Sequence, residues 1–268
     1  MKKTVIYFLP VVCLANFLCW SPFSLGSEND QAYEQLKQKM ISKYGAIVPR
    51  EWSEHVRGVK TRLATHEKVI ALTLDACGSS GDGFDKKLIE YLEQEQIHAT
   101  LFINGRWIDK NPREFSRLAN QPLFEIENHG SSHKPCSVNG RAVYGIQGTK
   151  NAGEVVDEIE LNAKKIQQLT GFKPRFYRSG NAYCDEGGVA IANDLGYEVI
   201  GFSVLGDKGT NYTKDEIVNA LTNAEPGSIV ILHMNHPEKE TADGVIEAIP
   251  ILIEKGYQFV RLAEYPLE

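Results

Sequence analysis

Positive charge is in short supply in this chain: 29 Lys and Arg stand against 35 Asp and Glu in 268 residues, a net charge of −6. An acidic surface disfavours nucleic acid and anionic lipid as partners, since both require basic side chains to neutralise phosphate. A neutral or cationic polymer meets no such barrier. Long apolar runs are scarce as well. Thr4 to Trp20 is the sustained one, and it is interrupted by Pro10 and Asn16 and is short for a bilayer span. No internal repeat, low-complexity stretch or Pro/Gly-rich linker divides the remainder. Cysteines number only five.

What is present begins with a leader. Lys2 and Lys3, the apolar stretch, and the small residues around Ser24-Leu25-Gly26 have the layout of a secretory signal over residues 1–26. An uncleaved anchor is the alternative. Removal of the leader leaves 242 residues with 27 basic and 35 acidic side chains, a net charge of −8. That length suits one domain of good size. The expectation is an exported protein, periplasmic or secreted, with no stable membrane anchor after cleavage. Cys13 and Cys19 leave with the leader, so Cys77, Cys136 and Cys184 stay. An odd number leaves at least one thiol without an internal partner. A Cys136–Cys184 bridge is one expectation, and three buried thiols acting as small apolar groups the other.

Residues 28–48 are polar, with Tyr33, Leu36, Met40 and Ile41 at near-helical spacing. They predict a surface helix, ended by Pro49. Glu51 to Glu67, which includes Trp52, has no period and reads as a wrapping loop, so 27–65 form an N-terminal helix and loop. From 66 to 268 strands and helices alternate. Val69-Ile70-Ala71-Leu72-Thr73-Leu74 is nearly all apolar, as in a strand covered on both faces. Further strands are predicted at 99–103, 124–128, 176–178, 198–205, 228–232 and 258–262. Helical patterns lie at 84–92, 112–119, 154–170, 189–195, around 217–221 and at 244–255. Gly171 closes the 154–170 helix and Pro174 prevents its return; Pro250 is expected to start a second helical piece. The alternation predicts an α/β fold, a distorted (β/α)7-type barrel of parallel strands preceded by a short N-terminal helix. An open doubly wound sheet is the alternative. In both, ligands bind at the C-terminal ends of the strands.

The chemistry-bearing residues fall at those ends. Phe124-Glu125-Ile126-Glu127-Asn128 alternates as a strand with one face buried, then runs into His129 and His133. One helical turn would set these imidazoles on the same side, about 5–6 Å apart at Cβ, where two neutral rings can bind a Zn²⁺-like ion. Asp75 follows the first strand, Asn104 and Arg106 the second, Arg178 the fourth, Asp207 the fifth and His233 the sixth. In a parallel barrel all converge on one mouth.

In that order the motifs resemble those of the polysaccharide deacetylases of carbohydrate esterase family four, the NodB-homology domain, over roughly residues 66–263. Thr73-Leu74-Asp75 is similar to the first motif, T-F-D-D. His129-Gly130-Ser131-Ser132-His133 is similar to H-(S/T)-x-x-H, with Gly in place of the hydroxyl residue. Arg178-Ser179-Gly180-Asn181 stands for R-P-P-Y, Gly206-Asp207 for D-x-x-D-W without its Trp, and Leu232-His233 for L-x-H. The resemblance implies a divalent metal, often zinc, and removal of acetyl from N-acetylglucosamine polymers such as peptidoglycan or a chitin-like glycan. It implies His129 and His133 as metal ligands, Asp75 as general base, His233 as general acid, and Asp207 and Arg178 as their partners. A backbone N–H near Asn181–Tyr183 would hold the oxyanion.

One departure matters. The family's first motif carries a second aspartate as a metal ligand, and Ala76 stands there. Either the metal keeps two histidines and waters, or Asp75 moves onto it, or Asp82 or the Cys77 thiolate fills the gap. A carboxylate would give the His₂-carboxylate set common in catalytic zinc sites. Ala76 also favours a second reading, a glycan-binding module on a catalytically impaired scaffold. An esterase for O-acetyl sugars is a third. Trp107 or Tyr183 could stack on a sugar ring; Asn235 and His236 line the expected cleft.

Overall fold

The computed structural model describes residues 1–2 and 25–268. The expected leader, with Cys13 and Cys19, lies almost wholly outside the described residues. The chain forms two compact units, Met1–Gln35 and Leu36–Glu268, and apart from the start of the first helix the second carries everything below. Among the described residues no helix is long and apolar enough to cross a membrane.

Helix α1 (Leu25–Tyr44) ends before Gly45, earlier than Pro49, and the buried Met40 and Tyr44 seat its second half. After β1 (Val59–Lys60) the chain alternates: β2 (Val69–Ala76), α2 (Lys86–Gln94), β3 (Ala99–Ile103), α3 (Gly105–Lys110), α4 (Pro112–Ala119) and β4 (Phe124–Asn128). The irregular stretch that follows contains a small antiparallel hairpin, β5 (Ala142–Val143) and β6 (Ile146–Gln147). Then come α5 (Ala152–Thr170), β7 (Phe176–Tyr177), α6 (Glu186–Asp194), β8 (Glu198–Ile200), β9 (Val204–Leu205), α7 (Lys214–Thr222), β10 (Ser228–His233), α8 (Thr241–Glu254) and β11 (Gln258–Phe259). The main sheet is parallel throughout and runs β1-β8-β7-β4-β3-β2-β10-β9, with β11 also paired to β2. The expected barrel of βα units is therefore present, as a curled sheet.

One expected strand, 198–205, is two. β8 pairs with β7 and β1 at one edge, and β9 pairs with β10 at the other. Residues 201–203 carry the chain across the gap, so covalent continuity closes the ring where hydrogen bonds do not. Gly201 is required at the crossing: a Cβ there would lie 2.8 Å from the Val59 side chain.

The core has two layers, and strand alternation decides which residue enters which. Ile70, Leu72, Leu74 and Ala76 of β2 join Leu101, Ile103, Val230 and Leu232 beneath the helices. Val69 and Ala71 face the other way, into the ring, with Phe102, Phe176, Ile229, Ile231 and Leu262. Truncating one of these leucines to Ala would cost about 2–5 kcal/mol. On β4 the acidic face is partly covered: Glu125 is half-buried, while Glu127 is buried and accepts the Phe176 N–H at 2.6 Å. Helix α8 runs unbroken through Pro250 rather than restarting there. Proline leaves the carbonyl four residues back without its helical donor; that carbonyl, of Ile246, accepts the Tyr91 hydroxyl at 3.4 Å.

Candidate active site and metal centre

Asp75, on the inward face near the end of β2, is buried and meets the fully buried Arg178 that follows β7. Arg178 Nη1 donates to Asp75 Oδ1 and to Thr73 Oγ1, both at 2.8 Å, and Nη2 donates to the Gly201 carbonyl at 2.9 Å. The guanidinium also lies 4.2 Å from the centre of the Phe102 ring. Burial alone would raise the Asp75 pKa, but Arg178, with His129 and His233 nearby, outweighs it and holds the carboxyl below its usual range. Asp75 Oδ2 lies 3.5 Å from His129 Nε2.

The two histidines are brought together, though not by a helical turn. Gly130 and His133 take positive φ values of 74° and 59°, and the turn closes around Glu158 of α5. That buried carboxylate accepts Ser132 N–H at 2.9 Å, Lys134 N–H at 3.1 Å and Ser131 Oγ–H at 3.1 Å. A Cβ on residue 130 would collide with Glu158 Oε1, which is why glycine occupies the place of a hydroxyl residue. Asn104 secures the other side, its amide donating to the His129 and Gly130 carbonyls at 3.0 and 2.8 Å. The imidazole centres of His129 and His133 end 4.8 Å apart. His129 Nδ1–H donates to the Arg178 carbonyl at 2.9 Å, so the lone pair sits on Nε2 and points into the cluster, the arrangement that orients metal-binding imidazoles.

Cys77 returns to the inward face one residue past Ala76. Its Sγ lies 3.7 Å from His129 Nε2. Among the described residues, the group of three potential ligands close enough for one ion is Cys77, His129 and His133, all ligand atoms within 4.8 Å of one another. Burial would raise the Cys77 pKa, yet the neighbouring His133, His129 and His233 draw it well below the thiol range. Two imidazoles and a thiolate are borderline-soft donors that suit Zn²⁺, so the residues present fit the ion. Of the other candidates, Ala76 points into the helix-facing core, and Asp82 accepts the Ser79 N–H and faces His236 at 3.4 Å.

Beside Asp75 on the adjacent strand stands His233, last residue of β10, in register with it. Its Nδ1–H donates to Asp207 Oδ1 at 2.9 Å, while Asp207 Oδ2 accepts the His233 N–H at 2.8 Å and the Thr241 hydroxyl at 3.1 Å. Burial opposes a charged imidazole here, but the Asp207 carboxylate prevails and raises the His233 pKa well above its ordinary value.

Asp75, Arg178, His129, His133, Asp207 and His233 therefore meet at one end of the sheet. Trp107 does not join them: it is fully buried, donates its indole N–H to the Gly83 carbonyl at 2.8 Å, and packs on Phe84. Arg106 is exposed one residue before it. Tyr183 is half-buried at the rim between Trp52 and Tyr144, with ring centres 5.6 and 5.8 Å away; the Tyr144 hydroxyl beside it pushes its pKa up to about 12. Asn235 is buried, and His236 pairs with Glu238 at 3.0 Å. Cys136 and Cys184 are free thiols rather than a bridge, on backbones that run side by side; the Cys184 sulfur and burial together push the Cys136 thiol well up. Sequence reasoning missed Glu158. Its signal was an acidic residue interrupting the apolar face of the 154–170 helix, beside Val155 and Ile159.

The family model "Polysaccharide deacetylase" matches residues 62–200. The peptidoglycan-N-acetylglucosamine deacetylase of Bacillus cereus is 27% identical over 274 residues, covering 91% of this chain and 93% of that protein. Among solved structures, the Bc1960 peptidoglycan N-acetylglucosamine deacetylase superposes with a TM-score of 0.65 at 25% identity, over 77% of this chain and 91% of that one. BA3943 of Bacillus anthracis, described as a CE4 family pseudoenzyme, has the same fold, with a TM-score of 0.64 at 23% identity over 76% of this chain and 67% of that one.

Proposed function

The chain belongs to the polysaccharide deacetylase family, and from that premise we propose that it is an exported, metal-dependent hydrolase that removes acetyl from N-acetylglucosamine residues of peptidoglycan or a chitin-like glycan. The observation that carries this reading is the convergence of two acid–base pairs, Asp75–Arg178 and His233–Asp207, beside the Cys77, His129 and His133 cluster.

His129 and His133 would hold a divalent ion, best matched by Zn²⁺. Bound there, it supplies Lewis acidity that polarises the acetyl carbonyl and makes the attacking water more acidic. Every other task falls to the chain. Asp75, kept ionised by Arg178, accepts the proton of the attacking water. His233, kept protonated by Asp207, gives a proton to the leaving amine. The 3₁₀ turn Gly180–Ala182 supplies a donor for the oxyanion: the Ala182 N–H is committed to the Ser179 carbonyl at 2.9 Å, whereas the Tyr183 N–H reaches the Gly180 carbonyl only at 3.4 Å and is the freer of the two. Trp52, Tyr183 and Tyr144 form a row at the rim, and Tyr144 is 75% exposed. Flat, partly exposed rings beside a cleft suit the apolar faces of a sugar polymer, and the net acidic chain favours a neutral or cationic one.

The test is acetate release from peptidoglycan fragments and chitin oligomers by zinc-reconstituted protein, with O-acetylated sugars alongside. His233→Ala is expected to retain zinc and lose turnover by about 10²–10⁴-fold; full rate in that variant would remove His233 as the acid. Binding of glycan with no acetate released from any substrate would instead favour the impaired binding module that Ala76 suggests.

A further inference from the structure

We propose that the Cys77 thiolate is the ion's third protein ligand, which makes the centre a Cys-His-His site selective for thiophilic ions. The proposal rests on the metal dependence just proposed, and four observations support it.

Direction comes first. On β2 alternate residues point to opposite sides. Ala76 is turned into the core beneath the helices and is 0% exposed. Asp75 and Cys77 both point inward, so the residue after Ala76 is the next from this strand that can reach the histidines. Commitment is second. Asp75 Oδ1 is held by Arg178 at 2.8 Å, and Asp75 is not in the group whose donor atoms all lie within 4.8 Å of one another, which Cys77 forms with both histidines. Geometry is third. Tetrahedral zinc, with bonds of about 2.3 Å to sulfur and about 2.0–2.1 Å to nitrogen, sets the two donors about 3.5 Å apart. Cys77 Sγ and His129 Nε2 lie 3.7 Å apart before any ion draws them together. The fourth is the backbone around the cysteine. Gly78, at φ 77°, would place a Cβ 2.6 Å from the Trp107 N, so the loop leaves β2 along a path that the start of α3 fixes. Cys77 is held at the cleft by rigid structure on both sides.

The ligand is the deprotonated sulfur: any proton it carries passes to solvent, and a sulfur lone pair goes to the ion. The harder carboxylate of the family pattern is replaced by a polarisable donor, so the preference shifts from Mn²⁺-like toward Zn²⁺-like ions.

The full chain is stripped with chelator and reloaded with Co²⁺, and its absorption is recorded. A near-ultraviolet sulfur-to-cobalt charge-transfer band is expected in the wild type. Cys77→Asp should bind Co²⁺ without the band and gain relative affinity for Mn²⁺; because every other cysteine remains in that variant, loss of the band assigns the sulfur. Cys77→Ser should lose zinc affinity by about 100-fold or more, since loss of a residue that merely orients a ligand already costs about 10–100-fold. Zinc should also shield the Cys77 peptide from alkylation in the wild type. Stoichiometric Co²⁺ binding with no band, or an acetyl group captured on Cys77 during turnover, would overturn the proposal; the latter would make the thiol a nucleophile served by His233. A band without acetate release would leave the ligand standing and sink the deacetylase reading, so the two failures are separable.

Discussion

Replacing Glu158 with Ala should undo the turn that presents His133. The residue is 3% exposed, and its carboxylate accepts three hydrogen bonds from residues 131–134 at 2.9–3.1 Å. A hydrogen bond to a charged group contributes about 1.5–3 kcal/mol. The donors here are half-buried, so water can recover part of the loss, and the low end applies: about 4 kcal/mol for the set. For a chain of this length about 2–4 °C of Tm accompanies each kcal/mol, giving a fall of about 10 °C. Glu158→Gln keeps an acceptor at Oε1 for the Ser132 and Lys134 N–H groups but loses the charge and the Oε2 acceptor of the Ser131 hydroxyl, so about 2 kcal/mol and about 6 °C are expected. Zinc affinity should fall by about 10–100-fold in the alanine variant, as for other groups that orient a ligand without touching the metal, and much less in the glutamine variant. Melting followed by circular dichroism and a chelator competition for zinc measure both quantities. If Glu158→Ala melted with the wild type and bound zinc equally well, the turn would be self-supporting and this account of His133 wrong.

Gly130→Ser, which restores the family's hydroxyl residue, should lower Tm and zinc content together, because a side chain at φ 74° meets Glu158 Oε1; the backbone strain alone is about 1–2 kcal/mol. An unchanged melting curve would refute the steric reading. Tyr144→Ala should leave Tm unchanged, the ring being 75% exposed, while KM for a chitin tetramer rises about fivefold, the equivalent of about 1 kcal/mol of ring contact; an unchanged KM would remove Tyr144 from the binding surface. Asp85 caps α2 with one oxygen and has no partner for Oδ2 among the described residues, and burial raises its pKa. A carboxyl whose folded pKa is raised destabilises the fold only when ionised, so its cost is absent below the unfolded pKa of about 3.9 and grows as pH rises through the higher folded value. Asp85→Ser, which keeps a capping oxygen, should therefore raise Tm at pH 7 and leave it little changed at pH 3.5. A gain at low pH instead would contradict the sign.

How legible the site was depended on whether a residue's role is set along the chain or across it. Asp75, His129, His233 and Arg178 could be placed because each ends or follows a short apolar run, and parallel strands bring their C-terminal ends to one rim. The break at Gly201 was invisible: 198–205 reads as one strand because its apolar pattern continues, and only the change of pairing partner from β7 to β10 divides it. Pro250 misled for a similar reason. A proline predicts a restart from local backbone chemistry, and Tyr91, 155 residues away in sequence, satisfies the orphaned Ile246 carbonyl. Trp107 looked available for stacking because aromatic residues near strand ends often are, yet the start of α3 turns it into the core. Glu158 hid because an acid on a helix face is ordinarily solvated; it takes the turn across from it to give the carboxylate work.

The same distinction bears on how the first motif could differ from the family's and still serve the proposed metal. The turn from His129 to His133 is fixed by Glu158, Asn104 and the Arg178 carbonyl, and none of these contacts uses the side chain of residue 76. The acid–base pairs are fixed by Arg178 and Asp207, which do not depend on residue 76. On the proposal above, the β2 end supplies one more donor; in this chain Ala76 is turned into the core, so the inward positions are 75 and 77. Position 75 is already bound to Arg178. A donor at 77 reaches the histidines without disturbing that pair, with Sγ already 3.7 Å from His129 Nε2. Supplying the donor from 77 instead of 76 would therefore change the softness of the metal site and leave Asp75 as the base.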